Sequence, residues 1–132
     1  MSTFTPNVAA ITLFIADRER SQAFYARAFD DKPIFEDDNS VVFRLENLVL
    51  NLLVRSSAFE LIEPAAVADP GSGSPFQLTI EVDDTDAACA ALQARGVALL
   101  NGPMNRPWGV RTAAFADPDG HVWEVGSDIP KP

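Results

Sequence analysis

Two stretches of the chain carry the same order of apolar and polar positions. Residues 11–17, ITLFIAD, read as a strand, and RERSQAFYARAF then places apolar or small side chains at Ser21, Phe24, Tyr25, Ala28 and Phe29, which is helical spacing. Asp17 stands where its carboxylate can accept from the first free helix amides, and Glu19 favours the positive end of that helix. Residues 78–84, LTIEVDD, followed by TDAACAALQARG, repeat the pattern, with Ala88, Ala91 and Leu92 on the apolar face and Gly96 as the stop. Ile11 maps onto Leu78, Asp17 onto Asp84 and Tyr25 onto Leu92, each 67 positions apart. Such a repeat predicts two copies of one supersecondary unit, neither able to bury its apolar face alone.

Strand-like segments follow each helix: KPIFEDD, SVVFRL and NLVLNLLV after the first, VALLNGP, GVRTAAFA and HVWEVG after the second. Each half therefore reads βαβββ. The predicted fold class is α+β, one domain over residues 1–132, with a first module at 8–55, a linker at 56–75 and a second module at 76–126. Pro64, Pro70, Gly71, Gly73 and Pro75 mark the linker. DPDG at 117–120 fits a type I turn that reverses the chain into the strand carrying Glu124. Strand parity puts Ala10, Thr12 and Phe14 on one face and Ile11, Leu13 and Ile15 on the other, and it opposes Gln77, Thr79 and Glu81 to Leu78, Ile80 and Val82. The uniformly aliphatic faces are expected to pack on the helices, and the mixed faces to line a cleft.

A chain of 132 residues with 47% hydrophobic content can build its own core, which argues against disorder. The net charge of −9 is concentrated around Asp30, Asp31, Glu36, Asp37 and Asp38 and around Glu81, Asp83, Asp84 and Asp86; no basic stripe is present, so a nucleic-acid partner is not expected. No apolar run is long enough to span a bilayer, and MSTFTPNVAAITLF lacks the basic-then-apolar pattern of a leader, so no membrane association and a cytoplasmic location are expected. Cys89 is the only cysteine, which rules out an intrachain disulfide.

The two βαβββ units, the Asp closing the first strand, SQAFY on the first helix and DPDGHVWEV near the end resemble the vicinal oxygen chelate superfamily. That group holds glyoxalase I, extradiol dioxygenases, fosfomycin-resistance enzymes and bleomycin-resistance-type drug-binding proteins. The resemblance runs from about Val8 to Val125. It implies two sheets curled around a cleft and a divalent metal held at Ala10, Asn51, Gln77 and Glu124. Those four positions offer one carboxylate, two amide oxygens and a methyl group, whereas hard cations and zinc need three or more good donors. No metal and no other cofactor is therefore expected. His121 should point away from Glu124, three residues on in the same strand, and is read as structural. Cys89, with no second histidine to activate it, is read as a small helix residue. Glu81 and Glu124 share a face and are weighed as an acid and base pair against a polar lining role for Glu124.

With the metal set reduced, the residues expected to bind a ligand are Phe14, Phe43, Asn51, Leu53, Gln77, Trp108 and Glu124. Aromatic rings would stack, Asn51 and Gln77 would hydrogen-bond, and Glu124 would accept from a donor or pair with a cation. WGVRTAAFADPDG also resembles the matching segment of the bleomycin-resistance-type members, which bind drugs stoichiometrically without the metal quartet. The resemblance implies metal-independent sequestration of a hydrophobic or aromatic small molecule, an aromatic or cationic antibiotic, with no catalytic residue. It further implies a homodimer, since relatives complete their clefts across a subunit interface. The alternative is a metal-dependent glyoxalase-like lyase or isomerase, or a dioxygenase, with Gln77 and Glu124 as surviving ligands.

Overall fold

The computed structural model describes residues 4–129. The first module consists of β1 (Ala10–Ile15), α1 (Arg18–Ala28), β2 (Phe35–Glu36), β3 (Ser40–Arg44) and β4 (Val49–Val54). After α2 (Arg55–Ile62) come β5 (Gln77–Glu81), α3 (Thr85–Ala94), β6 (Leu99–Asn105), β7 (Val110–Ala116) and β8 (Val122–Asp128). Each module forms a four-stranded sheet, in the orders β1-β4-β3-β2 and β5-β8-β7-β6. The pairs β1–β4 and β5–β8 are parallel and the rest antiparallel, so each module joins its first strand to its last by a long crossover through its helix. The repeat seen in the sequence survives in three dimensions: β1 starts 67 positions before β5, and α1 starts 67 before α3. Among the described residues, no helix is long and apolar enough to cross a membrane.

The aliphatic faces do pack inward. Leu13 and Ile15 on β1, Leu50 and Leu52 on β4 and Val41 and Phe43 on β3 are all essentially inaccessible, and they join Ala113, Phe115, Trp123 and Val125 of the second sheet in one core. Helix α1 brings the two sheets together. The Tyr25 ring lies 6.3 Å from that of Phe43 in the first sheet and 6.0 Å from that of Trp123 in the second. Asp17 caps α1 by accepting from the Arg20 amide at 3.1 Å, and Asp84 caps α3 by accepting from Ala87 at the same distance.

Three local features differ from the periodicity reading. The side chains α3 buries are Thr85, Cys89 and Leu92, so the helix is rolled relative to α1 and Cys89 belongs to the core, while Ala88 and Ala91 are only partly covered. The segment after β4 is not wholly irregular, because RSSAFELI contains no Gly or Pro and forms α2, which buries Ala58. That helix stops where Pro64 forces the preceding residue out of the helical region: Glu63 has ψ 142°. Finally, β2 is only two residues long.

A buried polar cluster joins the modules. In the DPDG turn the Gly120 amide donates to the Asp117 carbonyl at 3.0 Å, and Asp117 Oδ1 accepts from the amides of Asp119 and His121, both at 2.9 Å. Its Oδ2 accepts from the Tyr25 hydroxyl at 2.6 Å and lies 2.7 Å from His121 Nδ1, while Trp123 Nε1 donates to the Tyr25 oxygen at 2.9 Å. Asp119 reaches across to the start of α1, accepting from the Ala16 amide at 3.0 Å and the Ser21 hydroxyl at 3.2 Å. Burial alone would raise the Asp117 carboxyl, but the hydrogen bonds from His121 and Tyr25 and the charge of His121 outweigh it and hold the group below its ordinary value. Burial, with the Asp117 charge added, pushes the Tyr25 hydroxyl far up, so it stays a donor at any ordinary pH.

A carboxyl with a depressed folded-state pKa stabilises the fold fully above its unfolded value, here 3.8, and loses that contribution as pH falls through the folded value. Urea titrations between pH 2 and pH 7 should therefore find Asp117→Asn about 2–3 kcal/mol less stable at neutral pH, with the difference shrinking in acid. A second stability test concerns Gly102, which has φ +83° and where an added Cβ would lie 2.5 Å from the Thr112 carbonyl oxygen. Gly102→Ala should cost about 2–4 kcal/mol, read as a lowered urea midpoint with unchanged slope.

Candidate functional site

The mixed faces of the two sheets point away from the shared core. On the first sheet, register sets Thr12 beside Asn51 and Phe14 beside Leu53, so these four share a face with Ala10. On the second, Thr79 lies beside Glu124 and Glu124 beside Ala114, which puts Gln77 and Glu81 on that face too. Of the residues expected to bind a ligand, Phe14, Asn51 and Leu53 thus lie together on one sheet, and Gln77 and Glu124 lie together on the other. Phe43 does not join them. It pairs with Leu50 on the helix-facing side and is fully buried, because the β3–β4 hairpin register, which strand composition alone does not specify, turns it inward. Trp108 sits at the tip of the β6–β7 hairpin, closed by the Gly109 amide donating to the Arg106 carbonyl, and is 70% exposed.

The polar groups on these faces are held in different ways. Glu124 Oε1 accepts from the Thr79 hydroxyl at 3.0 Å, so its carboxylate leans towards β5. Asn51 Nδ2 donates to Thr12 Oγ1 at 3.5 Å, and its Oδ1 is buried without a partner among the described residues. An unpaired buried acceptor costs about 1–3 kcal/mol. Glu81 is exposed, two register positions along from the Thr79–Glu124 pair and beside Gly126. His121 precedes β8 and is tied to Asp117. Its ring lines a cavity of about 270 Å³ that also has Phe14, Arg55 and Phe76 in its walls. Cys89 is buried and its thiol is pushed up by that burial, which keeps it protonated and a poor nucleophile. A larger hollow of about 730 Å³ lies elsewhere, between Ile11 and Phe29 of the first module and Leu78, Ile80 and Trp123 of the second.

The donor chemistry does not fit the metal that the resemblance implies. Ala10 has no ligating atom, and Asn51 and Gln77 offer only neutral amide oxygens, which leaves Glu124 as the one carboxylate of the four. Among the described residues, no three His, Cys, Asp or Glu side chains gather into a possible ligand set.

One group on the second face was not singled out by periodicity. Arg106 Nε donates to Thr112 Oγ1 at 2.8 Å and its Nη2 to Asn101 Oδ1 at 3.1 Å, which lays the guanidinium across β7 and β6. Asn101 reaches this position through bulges: Leu99 opposes Phe115 and Asn101 opposes Ala114, so β6 advances two residues against one and changes face. The Gly-Pro pair at 102–103 inside an apparent strand was the available signal.

Comparison with known proteins agrees with this architecture. A family model described as the glyoxalase/bleomycin resistance protein/dioxygenase superfamily matches residues 7–125. A search of curated proteins found no match. Among solved structures, a glyoxalase-related enzyme from Fulvimarina pelagi is 30% identical with a TM-score of 0.80, covering 94% of this chain and 89% of its own. A glyoxalase/bleomycin resistance protein/dioxygenase from Nocardioides is 23% identical with a TM-score of 0.86, covering 99% of this chain and 89% of that one. Lactoylglutathione lyase from Agrobacterium tumefaciens is 21% identical with a TM-score of 0.73, covering 93% and 94%. The last two are likenesses of fold alone. With a family model spanning nearly the whole chain and a 30% identical structure covering most of it, the chain belongs to the glyoxalase/bleomycin resistance protein/dioxygenase superfamily.

Proposed function

We propose that this member of the superfamily binds and sequesters a hydrophobic or aromatic small molecule of the antibiotic type, without a metal, as bleomycin-resistance-type members do. The observation that carries this reading is the donor set. The four positions where relatives hold a metal supply one carboxylate here, and that carboxylate is already engaged by Thr79. A ligand-binding face needs only apolar area and a few placed polar groups, and those remain. Phe14 provides area on the first sheet beside the largely buried Leu53, Asn51, Gln77 and Glu124 provide polar groups, and Trp108 an exposed indole.

The working unit is a homodimer. Within one chain the two mixed faces turn outward from a common core, so each needs a second surface to become a closed pocket. The outermost strands β1 and β5 are free to approach another copy, and the exposed side chains of Val8 and Phe76 lie beside them. Each pocket would then be walled by one sheet from each subunit.

Quenching of tryptophan emission by a panel of aromatic antibiotics tests this reading. Trp123 is buried and also lines the larger hollow, whereas Trp108 is exposed, so a ligand-dependent change that disappears in Trp108→Ala reports on Trp108. Trp108→Ala should weaken binding, followed calorimetrically, by about 1–3 kcal/mol, while Glu124→Gln changes it modestly. Retention of stoichiometric metal after dialysis against Ni²⁺, Zn²⁺, Mn²⁺ and Fe²⁺, lost in Glu124→Gln together with turnover, would replace this reading with metal-dependent catalysis.

A further inference from the structure

We infer that the ligand face of the second sheet has an anion-recognising pole at Arg106, so that the molecule bound there is an aromatic or apolar acid whose carboxylate the guanidinium takes. This deepens the proposed binding function and rests on it for the identity of the face. Four other arginines, Arg20, Arg55, Arg95 and Arg111, pair with aspartates. Arg106, like Arg18, Arg27 and Arg44, forms no ion pair among the described residues, and what sets it apart is that two neutral side-chain acceptors on the outward face of the second sheet hold it. It is half-buried and is held at two points by neutral acceptors, Thr112 Oγ1 and Asn101 Oδ1.

The geometry of that tether matters. A guanidinium has five N–H donors, and the Nε and one Nη2 donor are used. The remaining donors sit on Nη1 and Nη2, the pair that can grip a carboxylate with two parallel hydrogen bonds. Neutral acceptors fix the orientation without neutralising the charge, so the side chain is pre-organised and pays little further ordering entropy when an anion arrives. Glu124, which could have served as the counter-ion, is drawn the other way by Thr79 on β5. Arg106 lies over β6 and β7, and between them Ala114 and Gly126 carry no polar side chain. The face therefore has a positive pole and a negative pole separated by an apolar floor.

Benzoate and benzamide, one ring with and without a charge, separate this idea from simple stacking. In ¹H–¹⁵N spectra of the full chain at neutral pH, benzoate should shift the Arg106 Nε–H signal and the amides of Thr112, Ala114 and Gly126, and bind at least tenfold tighter than benzamide. Arg106→Gln should reduce benzoate to the level of benzamide, with Arg106→Lys falling between. Phenylphosphonate in place of benzoate shows which oxyanion shape is preferred, and Arg106-dependent binding of benzoate is the result required. Equal affinity for benzoate and benzamide, absence of any benzoate shift at these amides, or full benzoate affinity in Arg106→Gln would overturn the inference. Should Arg106→Gln fail to fold, the benzoate-to-benzamide ratio of the unaltered chain and of Arg106→Lys decides. Arg106-dependent benzoate binding with no antibiotic quenching Trp108 would keep the anion pole and remove the antibiotic reading; Trp108 quenching with equal binding of the two probes would do the reverse.

Discussion

One buried carboxylate organises the relation between the two modules. Asp117 collects the Tyr25 hydroxyl from α1, two backbone amides of its own turn and the His121 ring, and Tyr25 in turn receives the Trp123 indole N–H. A buried charge is tolerable only where such donors compensate its lost hydration, and here they outweigh the penalty. Because the donors come from both modules, satisfying Asp117 also docks α1 of the first module against β8 of the second. Asp119 adds a second point of attachment at the β1–α1 junction, where its side chain is nearly inaccessible. The face that bears Glu124 is thus positioned by a polar cluster on the opposite side of its own strand.

This arrangement separates the packed core from the outward faces of the sheets. The helix-facing side of both sheets carries the large apolar side chains of the core and the Asp117 cluster, with a hollow of about 730 Å³ left between Ile11, Phe29, Leu78, Ile80 and Trp123. The outward side carries short or singly placed polar groups, Thr12, Asn51, Thr79, Glu124 and Arg106, which bond to neighbours on the same face. Ala10, Asn51, Gln77 and Glu124 all stand on these outward faces, so substitution there leaves the core untouched. The same frame can hold a metal in one member and a bare binding surface in another, which is why membership settles architecture before it settles chemistry.

The irregularities of β6 shape the outward face of the second sheet. Gly102 stands at positive φ with no room for a side chain against Thr112 and Ala113, and the accompanying register shifts bring Asn101 onto the outward face. Without them, a regular β6 would keep Asn101 on the same side as Leu99, which faces the core beside Phe115. The bulge thus supplies one of the two neutral acceptors that hold Arg106.

The 67-residue repeat, the capping aspartates and the alternation along β1 and β5 were legible in the sequence because each is local: they depend on helix and strand periods and on side chains bonding to nearby amides. The same is true of the DPDG turn and of the poverty of metal donors at Ala10, Asn51 and Gln77, which follows from residue type alone. Tertiary structure decided the rest. Phe43 turned inward because its face is set by pairing with Leu50, and α3 rolled to bury Cys89 because its partner surface differs from that of α1. Arg106 became a candidate only when two strand bulges and a hairpin turn placed Asn101 and Thr112 within its reach. Registers, bulges and helix roll are chosen by competition among long-range contacts, and a one-residue change in any of them reverses which side of the sheet a side chain serves.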